Sequence, residues 1–271
     1  MLNITETPNP FHDIKSLKPI KEIQKIIIPG LEHNKAIPHR NGFFYGLIGS
    51  GGSGKSSMLM SMFKSKLYYR GVFDNIYYVC PAISFQSVQN HIFKDHDKVY
   101  HELTCALLDE IYGELAEAQP PQKEIKKTKA FDGESDEEEE EEEEEEPKYS
   151  CLIIDDFADA LKDKAIQKKL NKICIKLRHL KLAVIVTLQS YKYMPLMLRK
   201  QVTNLSIWRP KSLAEFSCIA EEMIGLSKPA AMQLHDYVFD VPYNHLDIDT
   251  VNNKVYKNFN MLDIEEKREK A

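Results

Sequence analysis

Eight consecutive residues, Gly49-Ser50-Gly51-Gly52-Ser53-Gly54-Lys55-Ser56, have the spacing G-x-x-x-x-G-K-[ST] of the Walker A phosphate-binding loop. Glycines let a backbone approach an anion where a Cβ would intrude. The loop N–H groups and the start of a following helix then form an anion site. Lys55 is placed to reach the β- and γ-phosphates of a nucleoside triphosphate, and the Ser56 hydroxyl to ligate Mg²⁺. With Ser57, the run from Gly49 supplies the candidate nucleotide-binding residues. A second group is Asp155-Asp156, two carboxylates that close the apolar run Cys151-Leu152-Ile153-Ile154 in the manner of a Walker B segment. Asp155 suits a Mg²⁺ shell, reached through water, and Asp156 stands where a catalytic carboxylate would polarise an attacking water. A third is Gln189, which ends the run Leu182–Leu188 and is placed to sense a γ-phosphate or orient water.

Such side chains need a sheet to hold them. Phe43–Ile48 predicts a short strand before the loop, and the apolar stretch Ser57–Leu67 predicts a helix after it. Asn75–Cys80, Tyr149–Ile154 and Leu182–Leu188 read as continuous apolar runs, the signature of parallel strands buried on both faces. Ligands bind at the carboxyl ends of such strands, where all three groups fall. The spacing further predicts helices over 101–118, 159–177 and 214–236, a weakly helical stretch over 84–93, a strand over 204–208, and a hairpin over 237–259 with Asn252-Asn253 at its turn. KEIQKIIIPG, residues 21–30, suggests one more short strand.

The 271 residues, 43% of them apolar, suffice for one large α/β domain. The polar start MLNITETPNPFHDIK is not a signal sequence, and no apolar run approaches the roughly 20 residues of a membrane span. Five scattered cysteines without C-x-x-C spacing suggest an intracellular, reducing compartment and argue against structural zinc. Cys80, Cys151 and Cys174 lie in apolar runs and read as core residues. The nine histidines show no ligand spacing.

The net charge of −5 conceals two parts, because Glu134–Glu146 holds twelve acidic residues in thirteen positions. Setting those aside leaves 36 basic against 29 acidic side chains, a balance of +7 that is compatible with nucleic acid. Residues 119–147 combine Pro120-Pro121, a basic patch and the acidic run, a composition that cannot bury enough apolar surface to fold; a disordered surface insert is expected. Its plain role is a solvated spacer, and its sharper one an electrostatic decoy over a basic surface. Ser190-Tyr191-Lys192-Tyr193 interleaves aromatic and basic groups, which suits either stacking on nucleic acid or packing of the loop.

Three stretches together, Gly49–Ser57, Leu152–Asp159 and Leu177–Arg199, resemble the FtsK–HerA superfamily of DNA-pumping ATPases, and more narrowly the virion DNA-packaging ATPases of the poxvirus type in large double-stranded DNA viruses. The narrower signal is the Arg178-His179 pair before the strand, Gln189 at its end and Pro195-x-x-x-Arg199 beyond it. The resemblance implies an α/β P-loop NTPase with a RecA-like parallel central sheet flanked by helices. It also implies ATP and Mg²⁺ as cofactors, a ring oligomer, double-stranded DNA as the partner moved, and capsid or portal proteins as further partners. It places the protein in the host-cell virus factory or the virion. In this resemblance Lys55 and Ser56 match the phosphate and Mg²⁺ residues, Asp155 the metal carboxylate and Gln189 the sensor. Arg178 matches a finger supplied to the neighbour's ATP, with Arg199 the competing finger or sensor. Asp156 departs from the pattern, because many relatives carry Glu there, and the acidic insert lies outside it.

The expected organisation is an N-terminal extension over 1–40, an ATPase domain over 41–260 that ends in a β-hairpin, and a charged tail over 261–271. Other readings of the loop are a different P-loop ATPase such as a helicase, a small-molecule kinase, or a nucleotide switch. A kinase lid would carry an arginine cluster, absent between Lys55 and Asp155, and a GTPase would carry N-K-x-D, which Asn253-Lys254-Val255-Tyr256 lacks.

Overall fold

The computed structural model of the protein describes residues 2–7, 27–32, 34–88, 91–119 and 147–266. The insert expected over 119–147 lies outside these apart from its two ends, as do residues 267–271 of the expected tail and residues 21–26 of the expected early strand. Ten strands form one sheet. In chain order they are β1 (Leu2–Thr7), β2 (Phe44–Ile48), β3 (Asn75–Val79), β4 (Val99–Tyr100), β5 (Ser150–Asp155), β6 (Leu182–Leu188), β7 (Asn204–Trp208), β8 (His245–Asp249), β9 (Lys254–Lys257) and β10 (Asn260–Glu266). Their spatial order is β1-β10-β9-β8-β7-β2-β6-β5-β3-β4. From β7 to β4 every pair is parallel; from β7 out to β1 every pair is antiparallel.

Helices cover both faces: α1 (Lys55–Lys64), α2 (Ala82–Ser87), α3 (Cys105–Glu117), α4 (Lys164–Ile175), α5 (Leu196–Arg199), α6 (Leu213–Ile224) and α7 (Lys228–Val238). The strands β2, β5 and β6 are buried at every position, as continuous apolar runs in a doubly covered sheet require. The period of two then sorts their side chains. Phe44, Leu152, Ile154, Val184 and Val186 pack with Ile111, Leu170, Phe216 and Leu234 beneath α3, α4, α6 and α7. Tyr45, Leu47, Ile153 and Ile185 pack with Leu59, Met62 and Phe63 of α1 and the aromatic cluster Tyr69, Phe73 and Phe93. By the same parity Asp155, Thr187 and Gln189 belong to the α1 side.

Local punctuation moves several boundaries away from the sequence expectation. The helix expected over 159–177 breaks at Asp163, whose carboxylate accepts from the N–H groups of Ala165 and Ile166 and so starts α4. The helix expected over 214–236 is two, because Gly225 takes a left-handed φ of 77° and Ser227 caps a new helix with proline in its first turn. The stretch expected to be helical to Phe93 stops at Ser87. The C-terminal hairpin is β8–β9, turning through Asn252-Asn253, but residues 237–244 are helix end and loop rather than strand. The boundary drawn at 260/261 falls inside β10, which pairs along β1, so residues of the expected extension and tail share one ladder.

Candidate nucleotide-binding and hydrolysis site

The Walker A loop joins β2 to α1, as its spacing requires. Gly54 caps α1 at φ 106° with no side-chain bond, so the first N–H groups of the helix are left for a ligand. Gly49 is demanded by space: a Cβ there would lie 2.6 Å from Ser53 Oγ and 2.9 Å from Trp208 Cβ. The Ser53 hydroxyl is buried without a hydrogen-bond partner. Lys55 folds back into the loop, its Nζ donating to the carbonyls of Gly49 at 2.6 Å and Ser50 at 3.1 Å. Burial lowers its pKa, opposed by the field of Asp155 and Asp156. Ser56 is half-buried beside it and Ser57 is exposed.

The two carboxylates stand one strand away. The strand β6 lies between β2 and β5, and Asp155 pairs in register with Thr187. Asp155 is 6% exposed and accepts from two neutral hydroxyls, Thr187 Oγ1 and, at 2.7 Å, Tyr78 OH. Burial, and then the charge of Asp155, push the Tyr78 phenol well up, so it stays a donor. Tyr78 OH in turn accepts from His91 Nε2 at 3.2 Å, because its one proton is already committed to Asp155. Asp156 leaves the strand in a left-handed conformation, φ 61°. Its N–H donates to Thr187 Oγ1, and its carboxylate is exposed between Ser84 Oγ at 2.9 Å and Gln189 Nε2 at 3.3 Å.

Lys55, Asp155, Asp156 and Gln189 therefore meet at the carboxyl edge of three neighbouring strands. The arginines do not join them within this chain. Arg178 is exposed in the turn before β6, at the amino edge; the seven residues of β6 put it roughly 20 Å from Gln189. Arg199 is occupied inside the fold: its Nε donates to Met194 O at 2.8 Å, its guanidinium lies 4.3 Å over the Tyr191 ring, and Glu222 is 3.5 Å away. The Tyr191 hydroxyl also donates to Glu222, at 2.6 Å. Tyr191 thus packs the loop, while Lys192 and Tyr193 face outward. Cys80, Cys151 and Cys174 are buried and their thiols are pushed up by that burial, the Cys80 thiol to about 12 with Asp155 adding to it.

Sequence reasoning missed Tyr78, Ser84, His91 and Thr187. Thr187 left one signal, a lone hydroxyl in an otherwise apolar run, and register with Asp155 explains it. Among the described residues no cluster of three or more His, Cys, Asp or Glu side chains is arranged for a metal. A magnesium ion held by one hydroxyl, phosphates and water needs none. The donor set fits such an ion: Ser56 is a free oxygen ligand at the helix start, and each Asp155 oxygen accepts only one bond and keeps a lone pair.

Fold and site define an α/β P-loop nucleoside triphosphatase with a mostly parallel central sheet. Within that class, residues 33–223 match the family described as Poxvirus A32 protein, well over half of the chain, and the chain belongs to that family. No curated protein matches it by sequence. Its fold is similar to that of the DNA-packaging ATPase B204 of Sulfolobus Turreted Icosahedral Virus, with a TM-score of 0.54 at 14% identity over 80% of this chain and 96% of that one. The genome packaging NTPase B204 of Sulfolobus turreted icosahedral virus 2, in complex with ATP-gammaS, superposes with a TM-score of 0.50 at 14% identity over the same shares. The pCW3 conjugation coupling protein TcpA, with ATPgS, gives 0.52 at 16% identity over 77% of this chain and 57% of that one. At these identities the likeness is one of fold. Among the described residues no helix is long and apolar enough to cross a membrane.

Proposed function

We propose that the protein is an ATP-hydrolysing motor that drives double-stranded viral DNA into a capsid. The observation that carries this reading is the meeting of Lys55, Asp155, Asp156 and Gln189 at one sheet edge in a chain of the Poxvirus A32 family. The loop N–H groups and Lys55 bind the phosphates, and Lys55 exchanges the carbonyls of Gly49 and Ser50 for phosphate oxygens. Ser56 and Asp155 would hold Mg²⁺, which neutralises phosphate charge when bound. Asp156 takes the proton of the attacking water, and Gln189, already bonded to Asp156, couples that carboxylate to the γ-phosphate. Tyr78 and Thr187 fix the Asp155 carboxylate.

Arg178 supports a ring. It can reach an ATP only at another copy's carboxyl edge, which calls for a head-to-tail interface, the kind that closes rings. A finger of this sort is worth about 10³–10⁵ in rate. DNA-stimulated ATP hydrolysis is measured for wild type, Lys55→Ala and Arg178→Ala, alone and mixed. Each variant alone is expected to be inactive and the mixture to recover activity. No recovery on mixing removes Arg178 as a finger, and no response of the wild type to DNA removes the motor.

A further inference from the structure

The phosphate cradle opens into a groove of about 590 Å³ whose far wall takes no part in the hydrolysis chemistry. One wall is the loop and first turn of α1, Gly52 to Met58; the other is Trp208, Tyr243, His245 and Phe259. Trp208 ends the strand next to β2, and its Nε1 would lie 3.5 Å, and Tyr243 Cδ1 3.8 Å, from a Cβ built on Gly54. The aromatic wall therefore begins where the cradle ends. Tyr243 is 73% exposed, so its ring is open to a ligand in the groove.

The fold invests bonds in holding these rings there. Tyr243 and Phe259 take left-handed backbone angles, φ 68° and 66°, which bulky side chains seldom adopt. A clasp ties their two turns together: Asn258 Nδ2 donates to Asn244 Oδ1 at 2.8 Å, and Asn258 Oδ1 accepts from the N–H of His245 at 2.9 Å. The N–H of Phe259 is anchored on Asp247 at 3.0 Å. His245 packs between Trp208 and Phe259, with ring centroids at 5.3 and 4.9 Å, and its Nδ1 is held by Asp247 at 2.8 Å, which leaves Nε2 for a ligand.

We propose that this groove is the nucleoside pocket, with the base stacked on Tyr243 against the Trp208–Phe259 wall while the phosphates occupy the cradle. The proposal rests on the reading of the loop as an ATP site and adds the residues that recognise the nucleoside. The volume suits a ligand of that size. Stacking on an aromatic face tolerates any base, and no carboxylate or carboxamide lines the groove among the described residues.

Calorimetric titrations of ATP and of inorganic tripolyphosphate into wild type, Tyr243→Ala and Tyr243→Phe test it. The alanine variant is expected to weaken ATP roughly tenfold to a hundredfold, the range of a lost base stack, with tripolyphosphate unchanged and the phenylalanine variant like wild type. Trp208 is the chain's single tryptophan, so its emission should change as ATP binds. Equal ATP affinity in wild type and Tyr243→Ala, equal loss of both ligands, or ATP binding that leaves Trp208 emission unmoved would overturn the pocket. Wild type that binds neither ligand would instead sink the ATP reading beneath it.

Discussion

Two buried aspartates in the same sheet make the most informative pair in this molecule. Asp155, in the parallel half, and Asp247, in the antiparallel half, are 6% and 4% exposed. Asp247 accepts from Ser206 Oγ, from the N–H of Phe259 at 3.0 Å and from His245 Nδ1 at 2.8 Å; Ser206 is itself bonded to Tyr45 OH at 2.5 Å. A hydrogen-bonded cation-capable ring and a full donor set compensate its charge. Asp155 has two neutral hydroxyls and no bonded cation. Burying a carboxylate so incompletely paired is unfavourable, and a fold retains it where a ligand supplies the missing partner. Lys55, close enough for Asp155 to act on its pKa, is tethered to the loop instead. The half of the sheet that ends in an undersatisfied charge is the half to which the proposed chemistry is assigned; the other half locks itself and presents aromatic surface.

The sharpest way to break this contrast is to neutralise each aspartate. Asp155→Asn keeps the shape, and the new amide can still accept from the Tyr78 hydroxyl through Oδ1 while its Nδ2 donates to Thr187 Oγ1. Steady-state ATPase assays should show kcat falling by about 10²–10³, the scale of a lost electrostatic group, while chemical denaturation shifts by less than about 1 kcal/mol. Asp247→Asn should do the reverse. It removes the charge on which three donors converge, so denaturation should report a loss of about 2–3 kcal/mol, with kcat of the folded protein falling less than about tenfold. If Asp155→Asn unfolds the protein and Asp247→Asn abolishes turnover without destabilising it, the two roles are exchanged.

A smaller effect separates Arg199 from Arg178. Arg199→Ala removes the ring contact with Tyr191 and the bonds to Met194 and Glu222. Thermal melting should show a loss of about 1–2 kcal/mol, and mixing this variant with Lys55→Ala should restore no more activity than Arg199→Ala has alone, because a packing residue is not donated to a neighbour.

The same contrast explains what could be read from the sequence. The parallel half was legible because β2, β5 and β6 are nearly continuous apolar runs, and because the Walker A loop, Asp155 and Gln189 stand at their carboxyl ends. The antiparallel half carries weaker signals. β1 and β10 lie at opposite ends of the chain, so their pairing has no local signature. Trp208, Tyr243 and Phe259 share a wall only because β8 folds back beside β7, which no spacing announces. Arg199 had the right residue type after the right strand; only the structure shows its guanidinium already bound. Tyr78 reads only as part of the apolar run Asn75–Cys80 and His91 only as one of nine histidines without ligand spacing, and their polar tips matter only once β3 is set beside β5.

The smallest effect lies in the pH dependence of the two histidines attached to these aspartates. His91 accepts the N–H of Phe93 on Nδ1 at 3.2 Å and donates from Nε2 to Tyr78, so its neutral form is fully used; burial lowers its pKa, with distant Asp155 only partly opposing. Burial would lower His245 as well, but its direct contact with Asp247 outweighs that and raises it. A raised histidine adds stability that is complete below about pH 6.5, its unfolded value, and is lost as pH rises through the folded value. A lowered one stabilises nothing in its charged form, so stability falls as pH drops from 6.5 toward the folded value. Denaturation midpoints measured from pH 5 to pH 8 should therefore lose the decline above 6.5 in His245→Gln and part of the decline below it in His91→Gln, the remainder belonging to His39, which burial also lowers. Identical pH profiles for the two variants would mean that the relayed and the direct aspartate act alike, and the contrast between the halves would fail at its electrostatic root.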